Sequence, residues 1–134
     1  MESYGCDASS YGYTFEDGLV ENLAFAFIVP SDFASGGVLK CYGWAANNGD
    51  VEENIWVHFG AVTEADDVHS LNDNDTYTCN VADTVYNVMN LTLVGLTAGD
   101  IGSGYFQRDG LDAADTIGGY FFIRSIILEY TADS

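Results

Sequence analysis

Val20-Glu21-Asn22-Leu23-Ala24-Phe25-Ala26-Phe27-Ile28-Val29 alternates with a period of two. Leu23, Phe25, Phe27 and Val29 fall on one side, and Ala24, Ala26 and Ile28 on the other. That is the spacing of a β-strand, whose successive side chains point to opposite faces. The second face is small and apolar instead of charged, which predicts that it too is covered. Pro30-Ser31-Asp32 stops the run, and Gly36-Gly37 opens the next.

The same grammar continues downstream. Residues 38–46 form a strand in which Val38, Lys40, Tyr42 and Trp44 share a face. Asn47-Asn48-Gly49-Asp50 is a turn between two β runs. Residues 54–62 place Ile55, Val57, Phe59 and Ala61 on one side and Trp56 and His58 on the other. Residues 63–75 read as acidic and irregular, with a short edge strand over 77–81. Met89, Leu91 and Leu93 alternate with Asn90, Thr92 and Val94, and Thr97-Ala98-Gly99-Asp100 is a turn. Residues 101–108 make a Gly-rich strand, where glycine weakens pairing but permits close approach. A polar loop over 109–116 precedes the longest run, 117–131. There Tyr120, Phe122, Ile126, Leu128 and Tyr130 are expected on one face, with Phe121, Ile123 and Ile127 on the other. No stretch has a capped stripe of period 3.6. Short strands with turns every 8 to 12 residues imply an all-β, two-sheet antiparallel sandwich, jelly-roll-like, of about eight strands.

A chain of 134 residues suits one domain. The division expected is an extended N-terminal arm over 1–12, rich in Gly, Ser, Tyr and Asp, and a β-sandwich over 13–134. Eight Phe, nine Tyr and two Trp supply large areas for sheet packing. The start MESYGCDASS has neither the basic residues nor the apolar run of a secretory signal. Cys6, Cys41 and Cys79 show no metal-finger spacing, and an odd count fits folding in a reducing compartment. Cys41, inside a strand run, is expected to be a small buried hydrophobe.

Charge is the most unusual global property. Lys40, Arg108 and Arg124 are the only basic side chains against 21 acidic ones, a formal charge of −18. Phosphate backbones and anionic membranes repel such a chain, so neither nucleic acid nor membrane is an expected partner.

The most patterned polar stretch is Arg108-Asp109-Gly110-Leu111-Asp112-Ala113-Ala114-Asp115-Thr116, with Asp100 just upstream. Carboxylates at 109, 112 and 115 could gather around Ca²⁺, although the spacing is not that of an EF-hand. The structural alternative, which we expect, is that each carboxylate orders its own loop by accepting backbone N–H bonds, with Arg108 pairing to one of them or to Asp100. No metal or other cofactor is therefore assigned. His58 and His69 are too few for a zinc site, and no Ser has the context of an activated nucleophile, so no catalytic residue is assigned and the chain is read as non-enzymatic. Trp44, Trp56 and Tyr77 are candidate glycan contacts, although strand aromatics mostly pack cores. Tyr4, Tyr11 and Tyr13 lie in the arm and are expected to make subunit contacts.

The C-terminal third resembles a β-sandwich module of tailed-bacteriophage virion proteins. The likeness rests on Ala98-Gly99-Asp100, Arg108-Asp109, Asp112, Asp115-Thr116, Gly118 and Ile126-Ile127-Leu128-Glu129-Tyr130. Residues 25–30 and 38–46 look like the same module's first strand pair. Where that module carries an acidic residue after the glycine that follows Asp-Thr, this chain has Gly119. The resemblance implies a structural or adhesive virion protein, assembled in a host cytoplasm. A head decoration or cement subunit on the capsid exterior is the leading expectation, helped by its brevity and acidity. It would bind capsid or other virion proteins as a homo-oligomer, a trimer by analogy with decoration proteins. The alternative is a glycan-binding, host-attachment module of a head or tail fibre.

Overall fold

A computed structural model describes residues 12–61, 69–80 and 86–133. Tyr4, Tyr11 and Cys6 lie outside them, as does the acidic segment with Glu64, Asp66 and Asp67. Eight strands run in chain order: β1 (Tyr13–Phe15), β2 (Val20–Ile28), β3 (Phe33–Ala45), β4 (Gly49–Gly60), β5 (His69–Cys79), β6 (Tyr86–Thr92), β7 (Ile101–Asp109) and β8 (Phe121–Ala132). No helix occurs among the described residues.

The strands form two four-stranded antiparallel sheets, β1-β8-β3-β6 and β2-β7-β4-β5. The pairing has a simple origin. β4 pairs with β5, β3 with β6, β2 with β7 and β1 with β8, as along one long hairpin. Rolling that hairpin adds the β3–β8 and β4–β7 ladders. The result is a jelly roll, the sandwich the alternation pattern predicts.

The core lies between the sheets. Leu39, Cys41 and Ala45 of β3 face Val51, Ile55, Val57 and Phe59 of β4, all buried. Phe15, Phe106 and Phe121 close one end, with ring centroids 5.5 to 6.2 Å apart. On β2, Phe25 and Phe27 cover Gly104 and Gly102 directly opposite on β7. A Cβ on Gly102 would strike the Phe27 ring, and one on Gly104 the Trp56 carbonyl. The glycines of this strand are therefore required by close approach, with aromatic rings filling the space they leave.

Three expectations are corrected. The second face of β2 is not covered: Ala24, Ala26 and Ile28 are exposed, Ile28 to 71 %. No described layer packs outside this sheet. β5 is an eleven-residue edge strand that begins at His69 instead of a short one near Tyr77. Its inward-parity positions include Asp73 and Asp75, which hide the apolar alternation. In β8, Tyr42 pairs with Ser125 but Gly43 with Ile123, so Arg124 is an extra, bulged residue. The bulge switches sides. Phe121 and Ile123 face the core before it, and Ile126 and Leu128 after it, so Phe122 does not share a face with Ile126.

Candidate functional site

The Arg108 constellation is built where β7 ends and the 109–117 loop turns back across the sandwich. Arg108 sits inward on β7 by strand parity with Phe106, and its side chain is fully buried. A charge so placed must find partners in protein. Nε and Nη2 donate to Asp115 Oδ2 and Oδ1 at 2.9 and 2.7 Å, a bidentate pair with neither side chain exposed. Nη1 donates to the carbonyls of Phe15 and Gly119, at 3.3 and 2.9 Å. Nη2 also reaches the carbonyl of Ile117 at 2.9 Å and Asp17 at 3.5 Å. The guanidinium thus ties β1, β7 and the whole loop into one unit.

The remaining loop carboxylates look inward on their own turns. Asp109 Oδ1 accepts from Leu111 N–H at 3.1 Å, and Asp112 Oδ1 from Ala114 N–H at 2.8 Å. Asp115 Oδ2 also accepts from Glu52 N–H, and Thr116 exchanges hydrogen bonds with Asp50. Asp100 does not meet Arg108; it accepts from Thr97 N–H at 2.9 Å in its own turn. Asp109, Asp112 and Asp115 are not gathered, and no group of three or more His, Cys, Asp or Glu suited to a metal ion occurs among the described residues. A Cβ on Gly119 would collide with Asn47 Oδ1, so an acidic side chain there would require the Asn47 side chain to move.

One residue of this region carried no sequence signal. Glu53 faces inward on β4, in register with Arg108 on one side and Asp75 on the other. It is completely buried and neither carboxyl oxygen has a hydrogen-bond partner among the described residues. Burial, then the charges of Asp75, Asp73 and Glu52, push its pKa up to about 9. At neutral pH it is a protonated, uncharged acid.

The candidate glycan contacts are dispersed. Trp44 stands on the outer face of the β1-β8-β3-β6 sheet, against Phe122 at 5.3 Å. Lys40, bonded to Glu129 at 2.9 Å, lies on the same face. Tyr77 points inward and packs against the core. Only Trp56 stands on the outer face of the β2-β7-β4-β5 sheet, stacked on Tyr105 with centroids 6.4 Å apart. Tyr13, expected in the arm, instead opens β1 and pairs with Ile123 of β8; it is 38 % exposed and meets Phe15 edge-on.

That outer face is ordered in rows across the sheet. Asn22, Gln107, Asn54 and Asn74 form one, Ala24, Tyr105, Trp56 and Asn72 the next, and Ala26, Ser103, His58 and Ser70 a third. None of these side chains is a carboxylate, a lysine or an arginine. Two adjoining grooves of about 650 and 440 Å³ run over the β2, β7 and β4 members of the second and third rows and share His58 and Ser103. The alternation locates these residues on outward parity, but only the ladder registers bring them into rows. Compared with protein-family models, curated proteins and solved structures, the chain matches none.

Proposed function

We propose that the chain is a non-enzymatic structural protein of a virion, a decoration or cement subunit on the capsid exterior that binds the particle as an oligomer. The observation that carries the reading is the inward use of its one patterned polar constellation. Arg108 directs its donors to Asp115, Asp17 and three backbone carbonyls, and Asp109 and Asp112 bind their own loop. Such chemistry holds the domain's own fold together. A net charge of −18 suits an outward-facing position better than one against packaged DNA. The jelly roll is compatible with the resemblance in the C-terminal third, and by itself says nothing of function.

The test is the native mass by light scattering, free and after mixing with particles stripped of their decoration. A stable oligomer, or stoichiometric co-sedimentation with particles, supports the proposal. A monomer that ignores particles of every candidate host overturns it. A second reading, carbohydrate binding for host attachment, is favoured by one feature, the half-buried Trp56–Tyr105 pair on the outer face of the β2-β7-β4-β5 sheet.

A further inference from the structure

From the rows on the outer face of the β2-β7-β4-β5 sheet, we infer a binding site for an uncharged polysaccharide chain, centred on Trp56 and Tyr105. The inference rests on the carbohydrate reading and names its ligand class.

Three observations converge. The first is charge. In a chain with 21 acidic residues, three successive rows of one sheet face carry none. Acids return at the end of the face, where Glu52 and Asp50 accept from Thr76 and Thr78. A surface free of carboxylate, lysine and arginine side chains inside a strongly negative field complements a neutral ligand. It disfavours uronic, sulfated or phosphate-bearing chains, and it disfavours a second copy carrying the same charge of −18.

The second is the aromatic pair. Trp56 and Tyr105, both half-buried, stack at an interplanar angle of 26° on neighbouring strands and leave part of their aromatic surface open to the outer face. The apolar C–H face of a pyranose ring packs on such a surface, while its hydroxyls project sideways. Beside the pair, Ala24, Ala26 and Ser103 keep the floor low, and Ile28 and Ile101 rise at the far end. From Asn22 to Ile28 the face extends about 20 Å along the strands, enough for a short run of sugar units.

The third is the amide row. Gln107 Nε2 donates to Asn22 Oδ1 at 2.9 Å, which leaves further donor and acceptor capacity on both amides. Asn54 and Asn74 continue the row, Asn74 Nδ2 donating to the Glu53 carbonyl at 3.2 Å and so fixing its amide in place. Neutral amides offer hydroxyls both donors and acceptors, and do so without a desolvated charge.

The test is titration calorimetry of the full chain with cellohexaose, mannohexaose, maltohexaose, chitohexaose and a neutral galactan, with hexagalacturonate as the anionic probe. Saturable binding of at least one neutral probe, with hexagalacturonate tenfold weaker or silent, is expected. Trp56→Ala should weaken binding at least tenfold. Ala26→Arg, at an exposed position that leaves the core untouched, should do the same with an unchanged circular dichroism spectrum. Binding of hexagalacturonate alone would overturn the uncharged-ligand inference while sustaining the carbohydrate reading. Silence from every probe, or binding that survives both substitutions, sinks the site. A concentration-dependent dimer broken by Ala26→Arg, with no response to any sugar, would assign the face to self-association and overturn the inference.

Discussion

Glu53 and Arg108 are direct neighbours in register on β4 and β7, both fully buried and of opposite formal charge, yet they make no hydrogen bond to each other. Arg108 turns instead to Asp115, which neutralises it, and to the carbonyls of Phe15, Ile117 and Gly119. With the guanidinium engaged, the Glu53 carboxyl is left in apolar surroundings with acidic neighbours on β5. It holds its proton for that reason.

Removing the guanidinium should therefore cost far more than a surface ion pair. Arg108→Ala leaves Asp115 buried without its partner and three carbonyls without donors, and a loss of about 3–5 kcal/mol is expected. Arg108→Lys restores the charge but not the planar fork, and should recover only part of the loss. Urea melts followed by Trp fluorescence measure both. A wild-type midpoint in Arg108→Ala would refute the organising role.

Glu53 imposes a pH dependence of defined sign. Its folded pKa of about 9 lies above the ordinary carboxylate range, so between the two the folded chain binds the extra proton. Its contribution is most favourable below the unfolded pKa, declines as pH rises through the window up to about 9, and is flat beyond. The limiting slope is about 1.4 kcal/mol per pH unit. Glu53→Gln should abolish that slope, so its advantage over wild type should grow from pH 5 to pH 9. Parallel slopes in denaturant melts across that range would rule the protonated state out.

The close approach of β7 to β4 should make Gly104 intolerant. A Cβ there meets the Trp56 carbonyl, which belongs to the backbone and cannot swing away. Gly104→Ala is expected to lose about 1–3 kcal/mol by overpacking. Gly18→Ala is the comparison. Gly18 has φ of 72° but open space where a Cβ would go, so only the left-handed backbone penalty of about 1–2 kcal/mol applies. Thermal melts of both variants, with circular dichroism for the fold, separate steric from conformational cost.

Salt should stabilise the fold. With Arg108 buried, Lys40 and Arg124 are the remaining basic side chains set against the acidic surface. Going from about 0.1 M to about 1 M NaCl shortens the Debye length from about 10 Å to about 3 Å and screens that repulsion. The melting temperature should rise by several degrees, and a fall would mean that attractive surface pairs dominate.

Much of the fold was legible because alternation is a local property. Leu23, Phe25 and Phe27 had to share a face, as did Ile55, Val57 and Phe59, whatever they packed against, and so did Trp56 and His58 on the reverse of their strand. The same reading mistook three places, one of them β5, where Asp73 and Asp75 on inward parity hide the alternation. Ala24, Ala26 and Ile28 were expected to be covered because they are apolar, yet apolarity cannot say whether a covering layer exists. The long run ending at Thr131 was expected to alternate throughout, but the bulge at Arg124 arises from its pairing with β3.

The sequence by itself determined an all-β sandwich, its turns, and the faces of the regularly alternating strands such as β2 and β4, since these follow from side-chain period and backbone preference within a few residues. Only the tertiary structure decided that Arg108 chooses Asp115, that Glu53 stands beside it unpaired, and that Asn22, Gln107, Asn54 and Asn74 line up in one row. Sheet neighbours are brought together from positions as far apart as Asn22 and Gln107, and register between strands is a non-local outcome of packing the whole core.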